Sequence, residues 1–214
     1  MPESSPTPGE LLAGYRRGAF ALPNRETGEL EWVSPDPRGI LPLDGLRVSH
    51  SLADAVRSER FEIRCDTAFE TVVRACAEPR PGREELWLDE PTIRAHCRLY
   101  EAGMAHSVEA WRSGELVGGL FGVQLGAAFF GESMFHAEPG GRDASKVCLI
   151  RLVERLRTGG FQLLDVQYLT PHLARLGCVE IPRSEYLKLL EAALVRQATW
   201  SASVDLGSTR IEPG

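Results

Sequence analysis

The ten residues Gly159–Tyr168, GGFQLLDVQY, decide how the chain is organised. The glycine pair ends a helix-like segment, and the run after it has the length of a buried strand. Side chains alternate along a strand, so Leu163, Asp165 and Gln167 share one face and Leu164, Val166 and Tyr168 the other. A carboxylate and an amide two positions apart in an apolar run need a reason, because burying an unpaired carboxylate is costly. Such an Asp is either structural, bonded to a nearby loop, or functional. The strand by itself leaves both open.

Working outward, DASKVCLIRLVERLRTGG before it reads as a helix, with Asp143 or Ser145 near the N-cap and Gly159 as its stop. Residues 105–135 alternate and are punctuated by Ser-Gly and Leu-Gly turns, which predicts a meander of antiparallel strands. The strand containing Asp165 can then join the sheet beside the last meander strand. Further upstream, TAFETVVRACAE has helical spacing at Phe69, Val72, Val73 and Cys76, with Thr67 as N-cap. DEPTIRAHCRLYEAG is a second helix, with Pro91 in its first turn and Gly103 at its end. SHSLADAVRSERFEIRCD predicts a capped short helix and a strand, and PHLARLG and SEYLKLLEAALVRQ are helices after the Asp165 strand. Pro35, Pro37 and Pro42 exclude a long helix from the Gly- and Pro-rich start. The expected fold is α+β: a small loop-rich N-terminal β domain over residues 1–46, a larger domain over 47–200 and a loose tail over 201–214.

The composition is that of a soluble globular protein, with 214 residues, 43% of them apolar and 25% charged. No run approaches the roughly 18 apolar residues of a membrane span. The start, MPESSPTPGE, lacks the basic and apolar regions of a signal peptide. Cys65, Cys76, Cys97, Cys148 and Cys178 are odd in number, far apart and without zinc spacing. Reduced thiols, no metal, no membrane and a cytoplasmic location are expected. A net charge of −6 argues against a surface coated by nucleic acid and leaves room for a local basic patch.

Three stretches invite chemistry. In AHSVEAW, His106, Ser107 and Glu109 have the residue types of a hydrolase triad, but neighbours on a strand face opposite ways and there is no G-x-S-x-G elbow. A structural or substrate-lining role is preferred. In FFGESMF, Glu132 sits among side chains too apolar for a solvated rim, and it shares a face with Met134. Ser133 and Met134 beside it are expected to line a substrate site. EPGGRDASK is a glycine-containing loop running into a helix, a place where free N–H groups hold anions. It lacks the Q/R-x-x-G-x-G/A pattern of acetyl-CoA transferases of the GNAT type.

Taken together, EWVSPDPRGILPL, AHSVEAW, ELVGGLFGVQLGAAFFGESMF, ASK, LLDVQYLTPHLARLG and EIPRSEYLKLL resemble the leucyl/phenylalanyl-tRNA–protein transferases, in the same order from Tyr15 to Leu190. The resemblance implies an aminoacyltransferase with a GNAT-like second domain. It would move Leu, less well Phe or Met, from aminoacyl-tRNA to proteins with N-terminal Arg or Lys, marking them for N-end rule degradation.

The resemblance also assigns roles. Asp165 and Gln167 would stand at the reaction centre, and Asp165 and Glu132 together would suit a cationic acceptor. Leu120, Leu149, Leu152 and Leu156, or their immediate neighbours, match the apolar donor pocket. Trp87 matches a ring that stacks on the terminal adenine, and a packing role for it is equally open. Family members often carry two tryptophans before SPDPR; this chain has Trp32-Val33, so the second ring is missing or supplied by Trp32. The family's basic cluster for the tRNA acceptor stem is weak here. Arg47, Arg57, Arg60 and Arg64 face Asp54, Glu59 and Glu62, four charges against three, for a net of +1. No cofactor is implied. A GNAT-like acyl-CoA N-acyltransferase and a non-catalytic binder of basic N-termini or tRNA ends stay open beside this reading.

Overall fold

The computed structural model describes residues 6–23, 30–79 and 88–201. The chain opens with α1 (Pro8–Arg16), whose N-cap Thr7 forms a capping box with Glu10. A two-stranded antiparallel hairpin follows, β1 (Phe20–Pro23) and β2 (Leu30–Val33). Next come β3 (Arg38–Ile40), α2 (His50–Arg57), β4 (Glu62–Cys65), α3 (Phe69–Ala77) and α4 (Glu90–Glu101). The predicted meander is β5 (Ala105–Arg112), β6 (Glu115–Leu125) and β7 (Ala128–His136). The chain then runs through α5 (Ala144–Thr158), β8 (Leu163–Gln167), α6 (Pro171–Arg175), β9 (Val179–Ile181) and α7 (Arg183–Leu194).

Seven strands make one sheet in the order β4-β5-β6-β7-β8-β3-β9. All neighbours are antiparallel except β7 and β8, which run parallel, with α5 as the crossover between them. The Asp165 strand therefore sits beside the last meander strand, as its sequence predicts. β3, from the Pro-rich start, is inserted between β8 and β9 in this same sheet. The part of the expected tail from residue 202 onward lies outside the described residues.

Alternation builds a core on each face. Phe121, Val123 and Phe130 pack with Leu11, Phe69, Leu99 and Leu190 on one side. Leu120, Phe129 and Leu164 pack with Leu52, Val56, Ile150 and Leu156 on the other. Cys76, Cys148 and Cys178 are buried, Cys65 and Cys97 are half-buried, and all five are free thiols.

One predicted cap is replaced. Thr67 is not the N-cap of α3; Ala68 holds that place and makes no side-chain bond. Glu109 of β5 does the work instead. Its carboxylate accepts from the N–H groups of Thr67 and Ala68 at 2.9 and 2.8 Å and from the Ser107 hydroxyl at 2.8 Å. An anion at a helix N-terminus is stabilised by the helix dipole. His106 turns away to Asp66, 2.9 Å from its carboxylate, and stacks on Trp200. The three residues are structural and form no triad.

Candidate active site

β7 and β8 pair only from Ala128–Leu163 to Phe130–Asp165, and beyond that the two strands part. A pocket opens in the gap. Its floor and walls are Leu120 from β6, Met134 from β7, Leu149 and Leu152 from α5, Leu164 and Val166 from β8, and Leu173 from α6. Glu132, Ser133 and Gln167 complete its lining, and its volume is about 110 Å³.

A β-bulge sets Glu132. Phe121 of β6 pairs with Ser133 and Gly122 pairs with Gly131, so Glu132 has no partner in the ladder. Bulges re-aim side chains in this way. The Glu132 carboxylate accepts from the Tyr15 hydroxyl at 2.8 Å and from Gln167 Nε2 at 3.3 Å. Burial pushes its pKa up to about 7, against the pull of the Tyr15 hydrogen bond.

The strand alternation expected for β8 holds through Val166. Gln167 breaks it with φ +61°, a conformation uncommon outside glycine and associated with functional strain. This turn sends the Gln167 amide to Glu132 and its backbone N–H to Asp165 Oδ1 at 2.8 Å.

Asp165 is fully buried and fully partnered. Arg38 of β3 grips it with two bonds, Nε to Oδ1 at 3.0 Å and Nη2 to Oδ2 at 2.6 Å. The Tyr186 hydroxyl donates to Oδ2 at 2.7 Å. Arg38 is held in turn by the Gly18 carbonyl at 3.0 Å and lies over the rings of Phe20 and Tyr186. With its charge matched internally, Asp165 has no uncompensated charge left for an acceptor cation, and it does not line the pocket. Arg38 was not singled out from the sequence. The available signal was an arginine standing directly before the apolar run Gly39–Leu43, where a carboxylate in another buried strand calls for a cation.

Leu120, Leu149 and Leu152 line the pocket as expected by position, but Leu156 does not. It is wholly buried in the core between α5 and the sheet. Trp32 is 41% exposed and packs its six-membered ring against Gly14 of α1. It is not among the pocket's lining residues. Trp87 lies outside the described residues. Two of the four arginines of the basic stretch are neutralised, Arg57 by Asp54 and Arg64 by Glu62. Arg47 instead lines a second cleft with Lys146, His172 and Arg175. Asp143 lines the same cleft and accepts from Lys146 Nζ at 2.6 Å, so Arg47 and Arg175 carry its excess positive charge. Burial first, then Lys146, Arg175 and His136, lower the His172 pKa. The clefts adjoin, because Leu173 of α6 lines one while His172 and Arg175 line the other.

A family model described as leucyl/phenylalanyl-tRNA protein transferase matches residues 40–191. The chain belongs to that family. A leucyl/phenylalanyl-tRNA–protein transferase from Paramagnetospirillum magneticum is 53% identical over 189 residues, 88% of this chain and 89% of that protein. One from Herpetosiphon aurantiacus is 51% identical over 195 residues, 91% of this chain and 97% of that protein. Membership makes this chain an aminoacyltransferase. Among solved structures, a ribosomal-protein-alanine N-acetyltransferase from Brucella melitensis biovar Abortus 2308 matches 72% of this chain and 99% of its own. Its TM-score is 0.39 at 17% identity, too distant to bear on the activity. Among the described residues no helix is long and apolar enough to cross a membrane, and no His/Cys/Asp/Glu group could hold a metal.

Proposed function

We propose that this aminoacyltransferase moves leucine, less well phenylalanine or methionine, from the 3′ end of aminoacyl-tRNA to the α-amino group of proteins beginning with Arg or Lys. The product would enter N-end rule degradation. One observation carries the proposal: an apolar pocket sized for a single side chain opens directly beside a buried carboxylate, Glu132, whose partners are neutral.

The aliphatic lining favours Leu over polar donors, as apolar pockets do to a modest degree. Glu132 offers the charge for a cationic acceptor, at the mouth where its amine would meet the donor ester. The ester is already activated, so much of the rate comes from positioning, which is worth about 7–11 kcal/mol in well-oriented systems. Asp165 acts through Gln167 and Arg38 rather than on substrate. The cleft of Arg47, Lys146, His172 and Arg175 suits a backbone phosphate of the same 3′ end. Trp87 and Trp32 remain the rings proposed for its terminal adenosine, and a small domain up to residue 46, which lends β3 to the sheet of a GNAT-like catalytic domain over 47–200, belongs to the same proposal.

Incubation with labelled leucyl-tRNA and a peptide beginning with Arg tests it. Label in that peptide, and little in one beginning with Ala, is expected. Equal labelling of both would remove the proposed acceptor specificity.

A further inference from the structure

The two oxygens of Glu132 differ. Oε1 accepts from Tyr15 and Gln167, at 2.8 and 3.3 Å. Oε2 faces His96 Nε2 of α4 at 3.9 Å, with the side chains only 2% and 8% exposed. The other nitrogen of His96, Nδ1, lies 2.9 Å from the Thr92 carbonyl oxygen. A carbonyl only accepts, so Nδ1 carries the hydrogen and Nε2 is a bare acceptor in the neutral ring. That nitrogen is fully enclosed and has no hydrogen-bond partner. The Phe121 ring meets the imidazole edge-on at 5.4 Å. A buried acceptor without a donor is costly. The Glu132 carboxyl relieves that cost once it holds a proton. With Tyr15 and Gln167 already donating to Oε1, the proton goes to Oε2, the oxygen that faces His96.

We propose that His96 is a positioning residue for Glu132: its Nε2 accepts from protonated Oε2, and this makes Glu132 the base that takes the acceptor's ammonium proton. This rests on the transfer reaction proposed above. The balance is simple. Glu132 Oε2 takes one proton from the acceptor's –NH3⁺, and the freed lone pair attacks the ester carbonyl carbon. The C–N bond forms, the C–O bond to the ribose breaks, and the ribose oxygen leaves as a hydroxyl with a second proton from the nitrogen. The proton held between Oε2 and Nε2 then returns to water.

The surroundings agree. Tyr15 from α1, Gln167 from β8 and the Arg38–Asp165 pair of β3 and β8 act on Glu132, while Thr92 and Phe121 flank His96. Burial lifts Glu132 to about 7 and holds His96 down at about 4, so the proton rests on the carboxyl side. The 3.9 Å separation exceeds a hydrogen bond. Active-site bonds are often long before substrate binds.

Nitrogen-15 NMR of the histidine-labelled protein tests the pair without activity. The His96 Nε2 shift is expected to step once near pH 7 in the wild type and to stay flat in Glu132→Gln. A step that persists in Glu132→Gln, or none in the wild type, overturns the pairing. In the transfer assay, His96→Phe is expected to lower kcat/KM for an Arg-peptide by roughly ten-fold or more, within the range of general-base effects. Its acid limb should move to lower pH, because protonated Glu132 loses its acceptor, while KM for the donor holds. A folded His96→Phe protein with the wild-type pH profile overturns the role. Absence of transfer by the wild type overturns the catalytic half together with the function, and the NMR step still decides whether the pair exists.

Discussion

Arg38 and Asp165 face each other across two neighbouring strands, 127 residues apart in sequence, and close a two-pronged ion pair with side chains 1% and 0% exposed. The pair fixes the end of β8 where the strand turns out to the pocket. It does so through Asp165 Oδ1, which accepts the Gln167 N–H and thereby holds that residue in its left-handed conformation.

Removing either member leaves a buried charge without its partner. Such losses cost about 3–5 kcal/mol. Arg38→Ala and Asp165→Ala should both lose stability on that scale in urea unfolding, so Asp165→Ala is not a clean test of catalysis. Arg38→Lys should recover little, because an ammonium cannot reproduce the two-pronged geometry. Near-wild-type unfolding midpoints in these variants would show that the pair contributes nothing.

Glu132 and His96 give opposite pH dependences. The folded pKa of Glu132 is raised from 4.5 to about 7. Its contribution is therefore fully present below 4.5 and is lost as pH rises through 7. His96 is lowered from 6.5 to about 4, so its contribution is present above 6.5 and is lost as pH falls toward 4. At about 1.4 kcal/mol per pH unit each effect is worth roughly 3 kcal/mol, and between 4.5 and 6.5 they offset. Glu132→Gln should make stability rise with pH across that window, and His96→Phe should make it fall. Unfolding midpoints at a series of pH values check this; parallel curves for all three proteins would contradict it.

Met134 lines the proposed donor pocket together with Leu149 and Leu152. Met134→Ala should enlarge it and raise the use of phenylalanyl-tRNA relative to leucyl-tRNA. One methylene in such a pocket is worth about 1–3 kcal/mol, so a change in the ratio of roughly ten-fold or more is expected. The ratio of kcat/KM for the two donors measures it, and an unchanged ratio would remove Met134 from the donor pocket.

The basic cleft should act through salt. Arg175→Ala is expected to weaken tRNA binding and to reduce the slope of log affinity against log salt by about 1, the signature of one lost phosphate contact. A short aminoacyl-adenosine donor, which lacks that phosphate, should be used equally well by both proteins. An unchanged slope would take Arg175 out of tRNA binding.

Much of this was legible in the sequence because it is local. The periodicity of residues 105–135, the capped helices and the Asp165 strand follow from alternation, turn residues and caps, each of which acts within a few positions. The apolar character of Leu120, Leu149 and Leu152 was equally visible. Tertiary structure decided the rest. Leu156 lies one turn beyond Leu152 on α5, yet one faces the core and the other the pocket, a difference set by where β7 and β8 part. Thr67 fits the pattern of a cap and loses the place to Glu109, from a strand that begins 36 residues after the helix does. Arg38 is marked locally only by the apolar run that follows it, and His96 carries no local mark. Their roles come from which buried carboxylate each one meets, and a buried charge chooses its partner through space, by Coulomb attraction and desolvation, rather than along the chain.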